Sequence, residues 1–261
     1  MTSGDEVAVG VLEARHVSVS YDGFHALDNA TVNLARGAIT GFIGPNGAGK
    51  STLFNVLAGS SSPSAGEVRL NGAEVTRRPP QWRARHGLTR TFQISRELGR
   101  LSVLENLLLA SPDQAGETVA GALFRRGAMR RSQEAAIERA HDLLQRVDLW
   151  RLADQPAAVL SGGQKKLLEL CRALMLEPSV VLLDEPAAGV NPTRIGEISE
   201  FIRALRSASL TLGIIEHNMD MVAALCDKVY VLAEGRILRE GSFDDVASDP
   251  QVTSAYFGNL S

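Results

Sequence analysis

The sequence predicts an α/β fold with a parallel sheet, and three observations support this. Short, continuous apolar runs at residues 180–183, 212–215 and 229–232 are typical of buried central strands. Helical patterns separate these runs, and strands that alternate with helices indicate parallel pairing. A glycine-rich loop at residues 44–49 lies between an apolar run at 38–43 and the first turns of a helix. This strand–loop–helix order predicts an anion site at the start of that helix.

The first third of the chain is predicted to hold further strands. Residues 11–43 alternate between apolar and polar positions, as strands do. Residues 59–66 are rich in Ser and contain Pro63, which predicts a loop. Residues 67–72 are then a strand that enters a turn.

The middle of the chain, residues 95–175, is predicted to be helical. Ser102 and Glu105 have the spacing of a capping box, so a helix begins there. A long amphipathic helix follows, and another helix begins at Ser161. One face of the long helix is predicted to carry Ile137, Ala140, Leu144 and Val147.

Composition excludes several classes of protein. With 44 % hydrophobic and 22 % charged residues, the chain is an ordinary globular protein that needs no disulfide or metal to fold. The net charge of −3 gives no case for nucleic acid. Cys171 and Cys226 have no metal-ligand spacing and are predicted to be buried free thiols in a reducing compartment. Neither an export signal nor an apolar run of about 18 residues is visible, so we expect membrane work to be done through partners.

The glycine-rich segment fits the phosphate-binding pattern G-x-x-x-x-G-K-[ST]. Its glycines let backbone N–H groups surround phosphate oxygens, and the following helix adds its dipole. Lys50 is predicted to reach the β- and γ-phosphates, and Ser51 to bind Mg²⁺. The candidate nucleotide-binding residues are Gly44, Pro45, Asn46, Gly47, Ala48, Gly49, Lys50, Ser51 and Thr52.

Two carboxylates close the apolar run at 180–183. The carboxyl end of a parallel strand faces the ligand crevice, so Asp184 fits a Mg²⁺-holding role. Glu185 follows directly and is a candidate general base for the attacking water. Downstream of a phosphate loop, these roles are favoured over a plain strand end.

A second anion motif follows Leu160 and consists of Ser161, Gly162, Gly163 and Gln164. Alone, it would be a helix N-cap with flexible glycines. It lies about twenty residues before the Asp184 strand, and a Ser hydroxyl with Gly amides at a helix start forms an anion site. These four residues are therefore also candidates for binding the nucleotide.

In this order, the motifs resemble those of the ATP-binding-cassette (ABC) ATPases over nearly the whole chain. The resemblance implies a Q-loop glutamine at Gln93, which senses Mg²⁺ and the γ-phosphate, and a switch histidine at His217. It also implies an A-loop aromatic at Tyr21 that stacks on adenine. Residues 188–192 resemble the D-loop, with Asn191 where many members have Asp.

Among ABC ATPases, the chain most resembles the ATP-binding subunits of branched-chain amino acid importers. Residues 90–93, 102–106, 123–131, 215–219 and 255–258 carry this resemblance. Many members of that group have a Tyr-Gly pair at the positions of Gly162 and Gly163. We favour a solvated loop and helix start for the arginines at 125–131. Contact with anionic lipid or with a partner stays open.

The resemblance implies one nucleotide-binding domain over residues 1–261. An α/β core lobe with an antiparallel β part spans about 11–94 and 176–245, a helical lobe about 95–175, and a C-terminal tail about 246–261. The implied cofactors are ATP and Mg²⁺. Catalysis is expected from Glu185, His217 and Gln93, and metal binding from Ser51, Gln93 and Asp184.

The implied partners are two transmembrane permease subunits, a second ABC ATPase chain and an extracytoplasmic substrate-binding protein. Two chains would sandwich ATP head to tail, identical or as paralogues, at the cytoplasmic face of the plasma membrane. Other candidate functions are a urea or amide importer, a lipid or lipopolysaccharide exporter, and, less favoured, a soluble ABC ATPase. The transported substrate and the direction of transport stay open.

Overall fold

The computed structural model describes residues 10–21, 23–91, 98–112 and 126–257. Residues of this part divide into two compact units. The described residues of Met1–Arg90, Ser179–Pro186 and Ile202–Ser261 form the first unit, and those of Thr91–Pro178 and Ala187–Phe201 form the second. Residues 187–201 thus belong with the helical unit, whereas the sequence predicts them in the core lobe.

The first unit contains two sheets. A four-stranded antiparallel sheet has the order β2-β1-β4-β5. Its strands are β1 (Leu12–Tyr21), β2 (Phe24–Leu34), β4 (Ala65–Leu70) and β5 (Ala73–Glu74). The antiparallel β part that the family resemblance implies is therefore present.

The second sheet has six strands in the order β10-β9-β3-β8-β7-β6. Strands β9, β3, β8, β7 and β6 pair in parallel, and β10 is antiparallel at one edge. The strands are β3 (Ile39–Ile43), β6 (Leu88–Arg90), β7 (Val180–Asp184), β8 (Thr211–Ile215), β9 (Lys228–Ala233) and β10 (Arg236–Gly241). All residues of β3, β7 and β8 are buried, which explains their continuous apolar runs. The predicted α/β fold is confirmed.

Most helices of the first unit follow strands. The helices of this unit are α1 (Lys50–Ala58), α2 (Pro80–Arg85), α7 (Met219–Leu225), α8 (Phe243–Ala247) and α9 (Pro250–Phe257). Phe42 of β3 packs edge-on against Phe54 of α1 at 5.3 Å between ring centroids, and stacks on Tyr230 of β9 at 5.5 Å. This aromatic cluster fixes the helix that follows the glycine-rich loop against the sheet.

The second unit is helical. It contains α3 (Val103–Leu108), α4 (Arg126–Arg146), α5 (Gly162–Leu174) and the start of α6 (Pro192–Ser207), together with short 3₁₀ turns at Trp150–Leu152 and Ala157–Val159. Capping boxes begin α3 at Ser102 and α5 at Ser161. None of the helices in the described ranges has the length and hydropathy needed to cross a bilayer.

The predicted apolar face of the long helix is partly wrong. Ala140 and Leu144 are fully buried, but Ile137 is 39 % exposed and Val147 lies beyond the end of α4. Leu143 shares the buried stripe instead. Burial is confined to the turns of α4 that pack against α3 and α5, one turn after Ile137. Arg130 and Arg131 are exposed, and Arg130 forms a surface ion pair with Glu134 at 2.8 Å. Arg125 lies outside the described residues.

Candidate nucleotide site

The glycine-rich loop joins β3 to α1 and presents the start of that helix. Gly44, Gly47 and Gly49 have positive φ angles of 150°, 80° and 100°. At Gly49 a Cβ atom would lie 2.7 Å from the Ala26 carbonyl oxygen, so only glycine fits this close approach. Among the described residues, no side chain caps α1, so its first N–H groups are available to an anion.

Lys50 lies folded back onto this loop. Its Nζ donates hydrogen bonds to the carbonyl oxygens of Gly44 at 2.7 Å and Pro45 at 2.9 Å, and the residue is only 7 % exposed. Burial lowers the pKa of the ammonium group, while the carboxylates of Glu185 and Asp184 act in the opposite direction. The loop therefore holds a buried cation that can bind an anionic phosphate chain, and two carboxylates lie close enough to act on its charge.

Asp184 ends β7 and is almost fully buried, with 3 % exposure. Arg90 at the end of β6 donates from Nη2 to Asp184 Oδ2 at 2.7 Å, and from Nη1 to Asn55 Oδ1 on α1 at 2.6 Å. Ser51 is exposed on the first turn of α1. Carboxylate and hydroxyl oxygens are hard donors, so this set fits Mg²⁺ bound together with a phosphate.

Glu185 and His217 meet at the end of the parallel sheet. His217 Nε2 lies 3.1 Å from Glu185 Oε1, within hydrogen-bond distance. The backbone N–H of Glu185 donates to the Ile215 carbonyl at 2.9 Å, and its φ of 50° lies in the left-handed region. A non-glycine residue there pays strain, which concentrates at functional sites. The end of the parallel sheet therefore holds a carboxylate and an imidazole within hydrogen-bond distance of each other.

Glu216 orients the segment that carries His217. It is buried, and its Oε2 accepts hydrogen bonds from the backbone N–H groups of His217 at 2.9 Å and Asn218 at 3.1 Å. Asn218 in turn caps α7 by accepting from the Met221 N–H at 2.9 Å. Sequence reasoning missed Glu216, because an isolated acidic residue beside His217 gives no signal of burial.

Ser161 to Gln164 begin α5 in the second unit. Ser161 Oγ accepts from the Gln164 N–H at 3.4 Å, and the Ser161 N–H donates to Gln164 Oε1 at 3.0 Å. This capping box fits the interpretation of Ser161 to Gln164 as a plain helix N-cap. Ser161 and Gly162 are exposed nonetheless, so the helix start is open to a ligand.

The D-loop segment packs beside this motif within the second unit. A Cβ atom added to Gly162 would lie 3.4 Å from the carbonyl oxygen of Gly189. A Cβ atom added to Gly163 would lie 3.2 Å from Cδ of Arg194. Asn191 caps α6, because its Oδ1 accepts from Thr193 N at 3.0 Å and Oγ1 at 2.9 Å. Asparagine thus performs the capping that an aspartate would perform at this position.

Tyr21 ends β1 and is 52 % exposed, with its hydroxyl 3.2 Å from Ser61 Oγ. Phe24 lies opposite it across the hairpin and is 68 % exposed, a neighbouring aromatic that sequence reasoning did not single out. Gln93 lies outside the described residues. The first unit brings together Lys50, Asp184 and Glu185, and places His217 against Glu185.

The protein-family model described as ABC transporter matches residues 27–188. The chain is 37 % identical to a probable branched-chain amino acid transport ATP-binding protein, LivG of Archaeoglobus fulgidus, over 95 % of both chains. It also resembles the crystal structure of the ADP conformation of MJ1267, an ATP-binding cassette of an ABC transporter. The TM-score is 0.83 and the identity 36 %, over 95 % of this chain and 98 % of that one.

A second solved structure is a dimer, the post-hydrolysis state of the ATP-binding cassette MJ0796 bound to ADP and Pi. The TM-score is 0.73 and the identity 25 %, with 89 % of this chain and 98 % of that chain covered. The family predicted from the motifs is confirmed. This chain belongs to the ABC transporter family, as an ATP-binding and ATP-hydrolysing subunit.

Proposed function

We propose that this chain hydrolyses ATP at the site described above to power the import of branched-chain or related amino acids. The observation that carries the hydrolytic part is the 3.1 Å approach of His217 Nε2 to Glu185 Oε1, beside the loop that holds Lys50. The relative from Archaeoglobus fulgidus, whose name states branched-chain amino acid transport, supports the substrate class.

In this proposal the glycine-rich loop and Lys50 bind the phosphates. The N–H groups at the start of α1 bind phosphate oxygens, and Lys50 exchanges its carbonyl partners for the β- and γ-phosphates. Tyr21 stacks on the adenine ring. Ser51 and Asp184 hold Mg²⁺, with Gln93 as a further ligand. The ion neutralises charge on the phosphates when bound.

Hydrolysis falls to Glu185 and His217. Glu185 accepts a proton from the attacking water, because its carboxylate lies at the carboxyl end of β7, where the ligand crevice of a parallel sheet opens. His217 holds the γ-phosphate end and keeps Glu185 oriented. Glu216 accepts hydrogen bonds from two backbone amides of that loop, which holds the segment that carries His217.

A second ABC chain completes the site. Ser161, Gly162, Gly163 and Gln164 of one molecule face the phosphate loop of the other, head to tail. The dimeric state of the MJ0796 cassette supports the presence of a second chain. The exposure of Ser161 and Gly162 at a helix start leaves these residues open to such a partner. Whether the second chain is a copy or a paralogue decides the number of active sites.

Mixing two inactive variants tests the shared site. A Lys50→Ala chain and a Ser161→Arg chain each lack one half of both sites in a homodimer. Mixed together, they form one intact site per heterodimer. We expect the mixture to regain up to about a quarter of wild-type ATPase activity, since half of the dimers are mixed at random. No recovery on mixing, with both variants folded and wild-type chains dimerising, would exclude sharing between copies.

Transport requires two permease subunits and an extracytoplasmic substrate-binding protein, and it places this chain at the cytoplasmic face of the plasma membrane. The test is uptake of radiolabelled leucine, isoleucine and valine into proteoliposomes that contain the subunits encoded beside this chain. Leucine uptake that depends on ATP and on Glu185 is expected. Uptake of urea or amides, or outward movement of lipid, would assign one of the other candidate functions instead.

A further inference from the structure

We propose that Arg90 is a positioning residue that acts as the resident counter-cation of Asp184 and sets how readily the site takes up a divalent cation. The inference rests on the proposed metal-holding role of Asp184. The guanidinium of Arg90 binds the Asp184 carboxylate and the Asn55 amide, so Arg90 acts on the site through the carboxylate that it binds.

Arg90 joins the two elements that carry the site. Its guanidinium donates to Asp184 on β7 at 2.7 Å and to Asn55 on α1 at 2.6 Å. It also lies 5.8 Å from the ring centroid of Phe54 on α1. Because Ser51 lies one turn before Asn55, one planar group ties the helix that carries Ser51 to the strand end that carries Asp184.

Burial makes this ion pair consequential. The side chains of Arg90 and Asp184 are 13 % and 3 % exposed, so the carboxylate has little access to water. A buried ion pair is seldom a net source of stability, because desolvation offsets the attraction. Because the ion pair adds little net stability, its position near the phosphate loop indicates that Arg90 sets the net charge around Asp184.

The charges near Asp184 indicate what Arg90 does. Two positive charges, on Lys50 and Arg90, lie near two negative charges, on Asp184 and Glu185. Burial lowers the pKa of Lys50, and both carboxylates act to raise it. The Arg90 charge next to Asp184 therefore opposes the entry of a divalent cation until phosphates supply negative charge. Without the Arg90 charge these four positions sum to −1, so the metal depends less on the nucleotide.

Two opposing effects follow from removing that charge. Loss of the Arg90 bond removes one constraint on the Asp184 carboxylate, which weakens metal binding by about a few-fold. Loss of a positive charge next to the same carboxylate strengthens binding far more, even after screening by solvent and salt. We therefore expect divalent affinity to rise by about tenfold to a hundredfold.

Arg90→Gln and Arg90→Lys form a matched pair that tests this. Both side chains donate hydrogen bonds to Asp184, but only lysine keeps the charge. Binding of Mn²⁺ to the nucleotide-free full chain is measured by electron paramagnetic resonance at low salt, with thermal melting as a check on folding. Arg90→Gln should bind Mn²⁺ about tenfold or more tightly than wild type, and Arg90→Lys within about threefold.

Asn55→Asp makes the charge of the site more negative by one unit, as Arg90→Gln does, and it leaves Arg90 itself unchanged. It is isosteric and adds one negative charge at the guanidinium, so Mn²⁺ affinity should rise in this variant even where Arg90→Gln does not fold. Unchanged or weaker Mn²⁺ binding in the folded charge-shifted variants would overturn the inference and leave Arg90 a structural ion pair.

Asp184→Asn separates this inference from the proposed function. The gain in Arg90→Gln should disappear in the Arg90→Gln/Asp184→Asn double variant, because the carboxylate is the group that binds the metal. If Asp184→Asn leaves Mn²⁺ binding unchanged, the proposed metal role itself fails. If it abolishes binding while Arg90→Gln has no effect, only the Arg90 inference fails.

Discussion

Arg83 holds the far end of the helix that begins at the phosphate loop, and its replacement by methionine tests how that helix is fixed. Arg83 is completely buried, and burial lowers the pKa of its guanidinium to about 10, so it stays charged at neutral pH. Its side chain donates to backbone carbonyl oxygens throughout. The acceptors are those of Val56, Leu57, Val75, Thr76 and Arg78, at 2.5–3.1 Å.

The magnitude follows from these contacts. Val56 and Leu57 lie in the last turn of α1, where carbonyls have few partners within the helix, although the Gly59 N–H also donates to the Val56 carbonyl at 3.1 Å. At about 1 kcal/mol net per hydrogen bond, loss of the five bonds costs about 5 kcal/mol. Relief of guanidinium desolvation returns part of this, so we expect Arg83→Met to lose about 3 kcal/mol of stability. For a chain of this size, Tm should fall by about 6–12 °C.

Thermal melting followed by circular dichroism measures this change. The matched control is Arg85→Met, because Arg85 is exposed on the same short helix, α2. It should stay within about 0.5 kcal/mol of wild type. An Arg83→Met chain that melts within about 2 °C of Arg85→Met would refute the argument that Arg83 secures α1.

Three further predictions concern the site. Lys50→Ala should weaken ATP binding in the absence of Mg²⁺, by isothermal titration calorimetry, and retained wild-type affinity would count against the phosphate-loop assignment. Gly163→Ala should be about 1 kcal/mol less stable than Gly162→Ala in urea unfolding, since its Cβ meets Arg194 at 3.2 Å and both gain the same helix propensity. Equal stabilities would contradict the packing. Glu185→Asn should raise stability by about 0.5–1 kcal/mol, because asparagine tolerates the φ of 50°; no gain would mean that the backbone there is unstrained.

Local signals predicted the elements that need little tertiary context. Residues 180–183 lie in the buried strand β7, and a short β-branched and aliphatic run is typical of a central strand of a parallel sheet. Ser102 and Ser161 mark helix starts because a Ser with Glu or Gln three residues later satisfies its own backbone groups. Such signals can be recognised from sequence because they depend on residues that are close together in the chain.

Burial of charged side chains could not be predicted in this way. Arg83 and Arg90 occur in a basic stretch that by composition belongs on the surface. They are buried because carbonyls at a helix end and a carboxylate at a strand end meet them in three dimensions. The same limit explains Ile137, whose spacing fits an apolar face but which lies one turn before the packed part of α4. Gln93 lies outside the described residues, so its role stays a prediction.

Glu185→Gln tests the central claim most directly, because it removes the proposed base and keeps the shape of the side chain. Steady-state ATPase activity and molecular mass by light scattering are measured together, with and without ATP and Mg²⁺. We predict that ATP still binds, that turnover falls at least about 100-fold, and that an ATP-dependent dimer accumulates. Turnover equal to wild type would contradict the assignment of Glu185 as the general base.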